Sequence, residues 1–268
     1  MSDTIESLRA QVAELEWYHT LELAPGIVTP GWFDTRPVVA RLPFPDSLTG
    51  KRCLDIGTFD GFWAYEMERR GAAEVMAIDL LGPNDWDWPA GTSAEVIAAI
   101  DSRKNAGRGF EVAREALGSA VRRVEKSIYA LDPAVDGLFD FVYLGSLLLH
   151  LRDPVGALMR VRSVCTEQLL SVDAIDLGLT LAHPRKPIAM LEAIGRPWWW
   201  KPNLAAVVRM IQAAGFRPER RGRIYMPAGR GQSRTRPSGR ALSSRIGREN
   251  LFRERVGDPH AFVLARPV

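Results

Sequence analysis

The chain of 268 residues is long enough for one large domain or two small ones. Its 46% hydrophobic and 25% charged residues exclude a wholly disordered, collagen-like or coiled-coil protein, and the net charge of +3 does not suggest a dedicated nucleic-acid-binding protein. Because no stretch approaches the roughly 18 apolar residues of a membrane span and the N-terminus lacks the apolar run of a signal peptide, we expect a soluble, cytoplasmic protein with no membrane partner.

The first 50 residues are predicted to form a helix followed by a lid segment. Apolar side chains recur at helical spacing near the start of the chain, at Ile5, Leu8, Val12 and Leu15. The segment 17–37 then combines aromatic residues with frequent proline and glycine, which forbid a regular element. We therefore expect an irregular lead-in between the helix and the following domain.

From residue 51 onward, short apolar runs alternate with helical patterns, which is typical of a parallel α/β sheet. The predicted strands are 52–56, 74–79, 121–128, 138–144 and 168–175, and the predicted helices are 61–71, 93–118, 154–165 and 202–214. A last pair of runs, 216–225 and 260–266, is expected to add an antiparallel edge. The sequence thus predicts one doubly wound domain over 51–268, with seven strands and a cap before the fifth helix.

Residues 228–250 are rich in Gly, Ser and Arg and show no apolar period. Such a composition predicts a mobile basic loop. Solvation alone explains many loops of this kind, so we place that interpretation ahead of a contact with RNA.

The most informative stretch is the turn that leaves the first predicted strand and enters a helix, from Leu54 to Gly61. In an open α/β sheet, ligands bind beyond the carboxyl ends of the strands, and Gly57 and Gly61 permit a close approach to the backbone. The turn does not read GxGxxG, so it lacks the diphosphate cradle of a nicotinamide or flavin site. Acidic residues on either side suit a cationic ligand better.

Asp79 ends the next predicted strand. An acid at that place can accept hydrogen bonds from both hydroxyls of a ribose. A simple turn or cap would explain either the glycine turn or Asp79 alone. Together, at the ends of two consecutive strands, they favour a nucleoside ligand.

The run LDIGTFDGFWAYEMERRGAAEVMAIDL resembles the first two motifs of class I methyltransferases that use S-adenosylmethionine (SAM), and FDFVYLGSLLLHLRDPVGALMRVRSV resembles their fourth-strand motif. GxxDGF, LLLHLRDP and a late PN followed by AGF are similar to the bacterial branch that includes the tRNA uridine carboxymethyltransferase. Phe59 departs from the commonest glycine loop, which has a small residue there. The resemblance implies a Rossmann-like fold, SAM as the cofactor and methyltransferase activity.

The resemblance also implies roles for individual cofactor-binding residues. Asp55 is expected to face the methionine ammonium, directly or through water. The residues implied to line the same portion are Gly57, Thr58, Phe59 and Gly61. Asp79 is expected to hold the ribose and Leu80 to pack beside the adenine. At the amino edge of the adenine, the resemblance implies Ser127 and Ile128. Under the sulfonium, it implies Leu144 and Gly145.

The chemical step requires a nucleophile placed about 3 to 3.5 Å from the methyl carbon. A hydroxyl nucleophile must also lose its proton, for which a neutral imidazole is the ordinary acceptor. His150, on the segment that leaves the fourth strand, is the best candidate, and His19 is the second. A hydrogen bond that fixes the turn is the structural alternative for His150. The histidines are scattered and only Cys53 and Cys165 are present, so no metal site is predicted.

The acceptor pocket is expected to come from tryptophans outside the cofactor motifs. Trp86 and Trp88 follow the second strand, and Trp199 and Trp200 follow the fifth. Adjacent tryptophans cannot all enter one core, which favours a flat aromatic or heterocyclic acceptor, although packing of the cap is an equal alternative. Asn203 is predicted to cap the next helix and can also touch the substrate.

The sequence therefore predicts an enzyme of secondary metabolism that methylates O or N on a small, aromatic or heterocyclic metabolite. A tRNA-modifying methyl or carboxymethyl transferase is the second interpretation, supported by the branch resemblance and the arginines but opposed by the low net charge. The third is a non-catalytic binding subunit with the same fold. The sequence leaves the oligomeric state open.

Overall fold

The computed structural model describes residues 2–232, 243 and 245–268, and its strands form one central sheet and three small pairs. In chain order the strands are β1 (Trp17–His19), β2 (Glu22–Ala24), β3 (Ile27–Val28), β4 (Gly31–Phe33), β5 (Arg52–Ile56), β6 (Glu74–Asp79), β7 (Arg122–Glu125), β8 (Phe139–Gly145), β9 (Cys165–Ala174), β10 (Ala189–Leu191), β11 (Trp200–Pro202), β12 (Phe216–Met226) and β13 (Asp258–Pro267). The helices are α1 (Ser2–Glu14), α2 (Arg36–Val39), α3 (Phe62–Arg69), α4 (Ala94–Lys104), α5 (Arg108–Leu117), α6 (Pro133–Asp136), α7 (Pro154–Val164), α8 (Leu177–Ala182), α9 (Leu204–Ala213) and α10 (Arg245–Val256).

The central sheet has the strand order β12-β13-β9-β8-β5-β6-β7. The strands β5 to β9 run parallel to their neighbours among themselves, whereas β13 is antiparallel to both β9 and β12. The prediction of a Rossmann-like, seven-stranded and mostly parallel sheet with an antiparallel edge is confirmed. The chain moves outward from β5 to β7 and then returns to β8 on the other side of β5, and such a reversal opens a crevice at the carboxyl ends of the strands.

The first 50 residues pack against one face of this sheet. Val12, Leu15 and Trp17 belong to the same hydrophobic cluster as Phe141 and Tyr143 of β8. Contact with the sheet, rather than helical propensity alone, therefore fixes the N-terminal segment.

The prediction that residues 17–37 lack regular structure is wrong, because β1 pairs in parallel with β4, and β2 pairs with β3 in an antiparallel hairpin. Gly31 makes the first pairing possible. A Cβ atom at this position would lie 2.2 Å from the backbone carbon of His19. Gly31 therefore allows β1 and β4 to approach each other closely enough to pair.

The predicted helix 93–118 is two helices, α4 and α5, because the chain turns sharply between them. Asn105, Ala106 and Gly107 have φ values of 44°, 47° and 76°, in the left-handed region. The Arg123 side chain donates a hydrogen bond of 2.7 Å to the Gly107 carbonyl and holds this break. The turn directs α4 over the carboxyl ends of the strands.

The predicted strand 121–128 ends earlier, at Glu125, where a short 3-10 turn, Ile128–Ala130, replaces its last residues. The Ser127 hydroxyl caps that turn by accepting a hydrogen bond from the Tyr129 N–H at 3.3 Å. The other predicted strands and helices agree with the structure to within a few residues at each end.

The predicted basic loop 228–250 contains ordered parts at both ends. The Gly229 N–H donates to the Trp32 carbonyl at 2.8 Å and the Gly231 N–H donates to the Gly31 carbonyl at 3.0 Å, so this end packs on β4. At the other end, α10 begins within the predicted loop. Residues 233–242 and 244, on which the remainder of that prediction falls, lie outside the described residues.

Within residues 2–232, 243 and 245–268, no helix has both the length and the apolar character needed to cross a bilayer.

Candidate active site

A cavity of about 750 Å³ lies at the carboxyl ends of the parallel strands. It is bordered by the turns that follow β5, β6, β7 and β8. The residues predicted to bind the cofactor that line it together are Gly57, Phe59, Asp79, Leu80, Ser127, Ile128 and Gly145. Strand topology explains this convergence, because each of these residues follows or ends a parallel strand at the same edge of the sheet.

Four of the predicted cofactor residues lie behind this wall. Asp55, Thr58 and Leu144 are almost fully buried beneath the turn. Gly61 begins α3 with a φ of 91°, and a Cβ atom there would lie 2.4 Å from the Tyr65 ring. The glycine is therefore required for packing of the first helical turn as well as for the left-handed backbone.

Asp55 and Thr58 carry buried polar atoms that lack hydrogen-bond partners among the described residues. These atoms are both carboxylate oxygens of Asp55 and the Thr58 hydroxyl. Burial raises the pKa of Asp55 to about 7. A buried polar group without a partner is unfavourable, so the underside of the glycine turn is a place where a cationic ligand group or a water molecule would be stabilised.

Asp79 lies on the cavity wall and is bound from three directions. Its carboxylate accepts hydrogen bonds from the Phe59 N–H at 2.9 Å and from the Leu80 N–H at 2.8 Å. It also forms a buried ion pair with Lys104. The carboxylate thereby ties together the glycine turn, the end of β6 and the end of α4.

Lys104 was not identified from the sequence as a site residue. Its ammonium lies 4.5 Å from the centre of the Trp86 ring and 5.4 Å from that of Phe59, which is within the range of cation–π attraction. The signal that could have found it is helical spacing, because Val96 and Ile100, eight and four residues earlier, line the same cavity.

The opposite half of the cavity is aromatic. Trp86 and Trp88 stack with their ring centroids 5.1 Å apart. Trp198 and Trp200 also line the cavity, and Trp198 was not among the site residues predicted from the sequence. Trp199 lies outside the lining residues, and its indole N–H donates a hydrogen bond of 2.6 Å to the Asp87 carbonyl. Trp199 therefore joins the loop after β6 to the loop before β11.

Asn203 is fully buried and is not among the lining residues. Its side-chain oxygen accepts a hydrogen bond from the Ala206 N–H at 2.8 Å, which confirms the predicted helix cap. Its amide group donates to the carbonyls of His183 and Lys186.

His150 lines the cavity beside Trp86. Its Nδ1 atom lies 2.9 Å from the Pro197 carbonyl oxygen. Because a carbonyl only accepts hydrogen bonds, Nδ1 carries the proton in the neutral ring and Nε2 keeps a lone pair. Burial lowers the pKa of His150, which favours this neutral form.

His19 lies apart from the main cavity, beside a second and much smaller one of about 20 Å³. It forms a buried pair with Asp60 through Nδ1. The other oxygen of Asp60 accepts hydrogen bonds of 2.8 Å from the backbone N–H groups of Tyr18 and His19. In this arrangement Asp60 fastens β1 to the glycine turn.

The N-terminal segment supplies further lining residues that the sequence did not single out. Tyr18, Trp32 and Phe33 line the cavity, and the Tyr18 ring stacks on Phe59 with centroids 4.8 Å apart. Within the part of the chain that the structure describes, no three His, Cys, Asp or Glu side chains cluster in a way that would hold a metal ion.

No protein-family model and no curated protein matches this chain. Among solved structures, the chain is similar to the N-terminal domain of EvdMO1 in the presence of S-adenosylhomocysteine (SAH) and D-fucose, with 17% identity and a TM-score of 0.59 over 99% of this chain and 97% of that one.

Two further solved structures carry the word methyltransferase in their names. Magnesium protoporphyrin IX methyltransferase from Synechocystis PCC 6803 with bound SAH has 18% identity and a TM-score of 0.52, over 87% of this chain and 81% of that one. The 1,6-didemethyltoxoflavin-N1-methyltransferase of Burkholderia thailandensis, with SAH, has 15% identity and a TM-score of 0.50, over 87% of this chain and 78% of that one. At such identities the similarity establishes the fold alone, a Rossmann-like α/β fold with a seven-stranded, mostly parallel sheet.

Proposed function

We propose that this protein is a SAM-dependent methyltransferase that moves a methyl group to O or N of a small aromatic or heterocyclic metabolite. The observation that carries the proposal is the cavity itself, in which a carboxylate beside a glycine turn faces a wall of tryptophans. When bound, SAM supplies a methyl carbon on a positively charged sulfonium. Similar structures that contain SAH support this choice of cofactor.

The cofactor half of the cavity fits an adenosyl ligand. Asp79 would accept hydrogen bonds from the ribose, with Leu80 beside the adenine and Ser127 at its amino edge. The unpartnered oxygens of Asp55 fit a positive ammonium group, reached directly or through water. Gly145, at the end of β8, would lie under the sulfonium.

The acceptor half fits a flat ring. The whole cavity, which must also hold the cofactor, has a volume of about 750 Å³, within the range of pockets that hold ligands of drug-like size. Stacked indoles bind planar rings through their faces. The His150 Nε2 atom can accept a hydrogen bond from an acceptor O–H or N–H, and it is the base proposed from the sequence.

The similar solved structures do not identify the acceptor, because the compounds in their names differ: a sugar, a porphyrin and a toxoflavin precursor. We place a small metabolite ahead of RNA because aromatic side chains form much of the cavity wall. Binding of unfractionated tRNA, measured between about 50 and 200 mM salt, tests this choice. Tight binding that falls steeply with salt would favour the tRNA alternative.

Calorimetric titration with SAM and SAH tests the proposed cofactor. We expect Asp79→Ala to weaken binding by about 1.5 to 3 kcal/mol, the scale of lost hydrogen bonds to a charged group. Asp79→Asn, which keeps the side-chain volume, guards against a folding defect, and Asp46→Ala on an exposed loop is the control. Unchanged affinity in both Asp79 variants would remove the ribose assignment, and wild-type protein that binds neither compound would overturn the function.

Native mass spectrometry of the purified protein tests for the acceptor directly. The mass of any second ligand retained together with SAH would identify it. Full turnover by His150→Ala, with SAM binding measured separately, would reject His150 as the base. SAM binding without turnover on any acceptor would favour the non-catalytic alternative.

A further inference from the structure

Ser146 occupies an unusual place on the cavity wall. It follows Gly145 at the end of β8 and lines the main cavity and the small one beside it. Its φ of 51° lies in the left-handed region, which is unfavourable for a residue with a side chain. Backbone strain of this kind is concentrated at functional sites, so its presence at the carboxyl end of β8 points to a functional side chain.

The Ser146 hydroxyl is paired with a buried histidine. Ser146 Oγ lies 3.0 Å from Nε2 of His260, which is 1% exposed near the start of β13. The other ring nitrogen, Nδ1, lies 2.9 Å from the Asp258 carbonyl oxygen. Because that carbonyl only accepts, the neutral ring carries its proton on Nδ1, and Ser146 donates its hydroxyl proton to Nε2. A hydroxyl, a base and a group that orients the base are thus aligned.

Neighbouring elements hold the serine in this position. The Ser146 N–H donates to the Val172 carbonyl at 2.8 Å. The next two N–H groups, of Leu147 and Leu148, donate to Asp173 at 2.9 Å. Three consecutive backbone groups are therefore bound to β9, and the left-handed turn cannot relax without breaking them.

Two carboxylates and an aromatic ring lie around His260. The Asp258 carboxylate lies 4.0 Å from Nδ1 and is paired with Arg253 at 2.7 Å. His260 also acts electrostatically on the buried carboxylate of Asp173, whose pKa burial raises. The Phe33 ring of the N-terminal segment lies in a T-shaped arrangement with the imidazole, with centroids 6.4 Å apart.

We propose that Ser146 and His260 form a proton relay that deprotonates an aromatic hydroxyl acceptor. The proposal rests on the proposed function and deepens it, since it names a phenol as the acceptor class and O-methylation as the reaction. The acceptor O–H bond breaks, its proton passes to Ser146 Oγ, and the Ser146 proton passes to His260 Nε2. The acceptor oxygen keeps the electron pair, which forms its bond to the methyl carbon, while the electrons of the broken C–S bond stay on sulfur.

The relay and His150 lie in different parts of the cavity. Ser146 directly follows Gly145, where the sulfonium is proposed to lie, whereas His150 belongs to the tryptophan half beside Trp86. In this arrangement Ser146 is a catalytic residue and His260 is a positioning residue that acts through it, and His150 binds the acceptor ring instead of serving as the base. Loss of the relay should lower kcat, and loss of His150 should mainly raise KM.

The variant Ser146→Gly distinguishes loss of the catalytic hydroxyl from loss of the folded structure. Glycine accepts a positive φ without strain, which offsets part of the cost of leaving the buried Nε2 of His260 without its partner, and urea unfolding measures the balance in a variant that lacks the hydroxyl. We expect its kcat for phenol to fall about 100-fold, the lower end of the contribution of acid–base catalysis, with SAM affinity unchanged. Ala193→Gly is the matched control, since Ala193 also has a positive φ (42°) but does not line the cavity.

A second acceptor and a second variant exclude a merely structural role. A relay is unnecessary for 4-nitrophenol, which ionises far more readily than phenol, so Ser146→Gly and His260→Gln should slow its methylation much less than that of phenol. An equal loss with both acceptors, or full activity of Ser146→Gly on phenol, would overturn the relay.

Failure of the relay is distinguishable from failure of the proposed function. Wild-type protein that binds SAM but methylates neither phenol would overturn the hydroxyl acceptor and leave cofactor binding standing. Absence of SAM binding would overturn both.

Discussion

The carboxyl group of Asp55 is buried without a partner among the described residues, and this has a consequence for stability. Burial raises its pKa from 3.8 to about 7. Below the lower value both folded and unfolded chains hold the proton. Between the two values only the folded chain holds it, so the free energy of unfolding decreases as pH rises through this window and levels off above about 7.

We expect Asp55→Asn to remove this pH dependence. A shift of about three pKa units corresponds to about 4 kcal/mol at most, so the variant should gain up to that amount relative to the wild type between about pH 4 and pH 7. Urea unfolding at the two pH values measures it. Unfolding free energies that change in parallel for the two proteins would show that Asp55 ionises normally.

At the scale of single elements, the strands of the central sheet could be predicted because they are buried. Most residues of β5 and β8 are buried, so their sequences are mostly apolar and lack the regular alternation of a half-exposed strand. The break between α4 and α5 has a local signal in Asn105 and Gly107, which favour the left-handed backbone of a helix end, but it also depends on Arg123, which reaches it from β7. Local patterns specify elements, and distant contacts decide where elements stop.

The residues of the candidate site also differ in whether local sequence patterns or distant contacts bring them into the site. Gly57 and Asp79 could be found because they follow or end strands whose carboxyl ends meet at one edge, whereas Gly145 was implied by the family resemblance. Ser146 and His260 are 114 residues apart in the chain and meet only because β13 returns beside β9. No spacing in the sequence indicates such a pair.

Helix α4 covers the cavity but is weakly anchored, since Lys104 is its one buried residue. We expect Lys104→Met to release the helix, because the substitution leaves Asp79 without its ion-pair partner, at a cost of about 3 kcal/mol. Hydrogen exchange should then accelerate across 94–104 more than elsewhere. The control is Lys51→Met, which breaks an exposed pair with Glu167 and should change nothing measurable. Unchanged exchange in α4 would show that other contacts hold it.

Strand β1 depends on Asp60 in a similar way. We expect Asp60→Ala to destabilise the fold by about 3 to 5 kcal/mol, because it removes the acceptor for two backbone N–H groups and the partner of His19. Limited proteolysis should cut first within 17–35. Asp34→Ala, which breaks a surface pair with Arg36, is the control. Cleavage at the same rate in both variants would contradict the anchoring role.

At the scale of the whole molecule, the first 50 residues and the sheet behave as one structural unit. They share a hydrophobic cluster, and Tyr18 and Phe33 line the same cavity as the turns of the sheet. A ligand in that cavity touches both parts, so it stabilises them together.

We therefore expect calorimetry to show a single unfolding transition that SAH moves upward. A ligand at about 100 times its Kd adds about 2.7 kcal/mol, which raises the melting temperature of a chain of this size by roughly 5 to 10 °C. The Asp79→Asn variant should show a smaller shift at the same SAH concentration, because its affinity is lower. Two separate transitions, with only the later one shifted by SAH, would mean that residues 1–50 fold apart from residues 51–268 and do not contribute to the site.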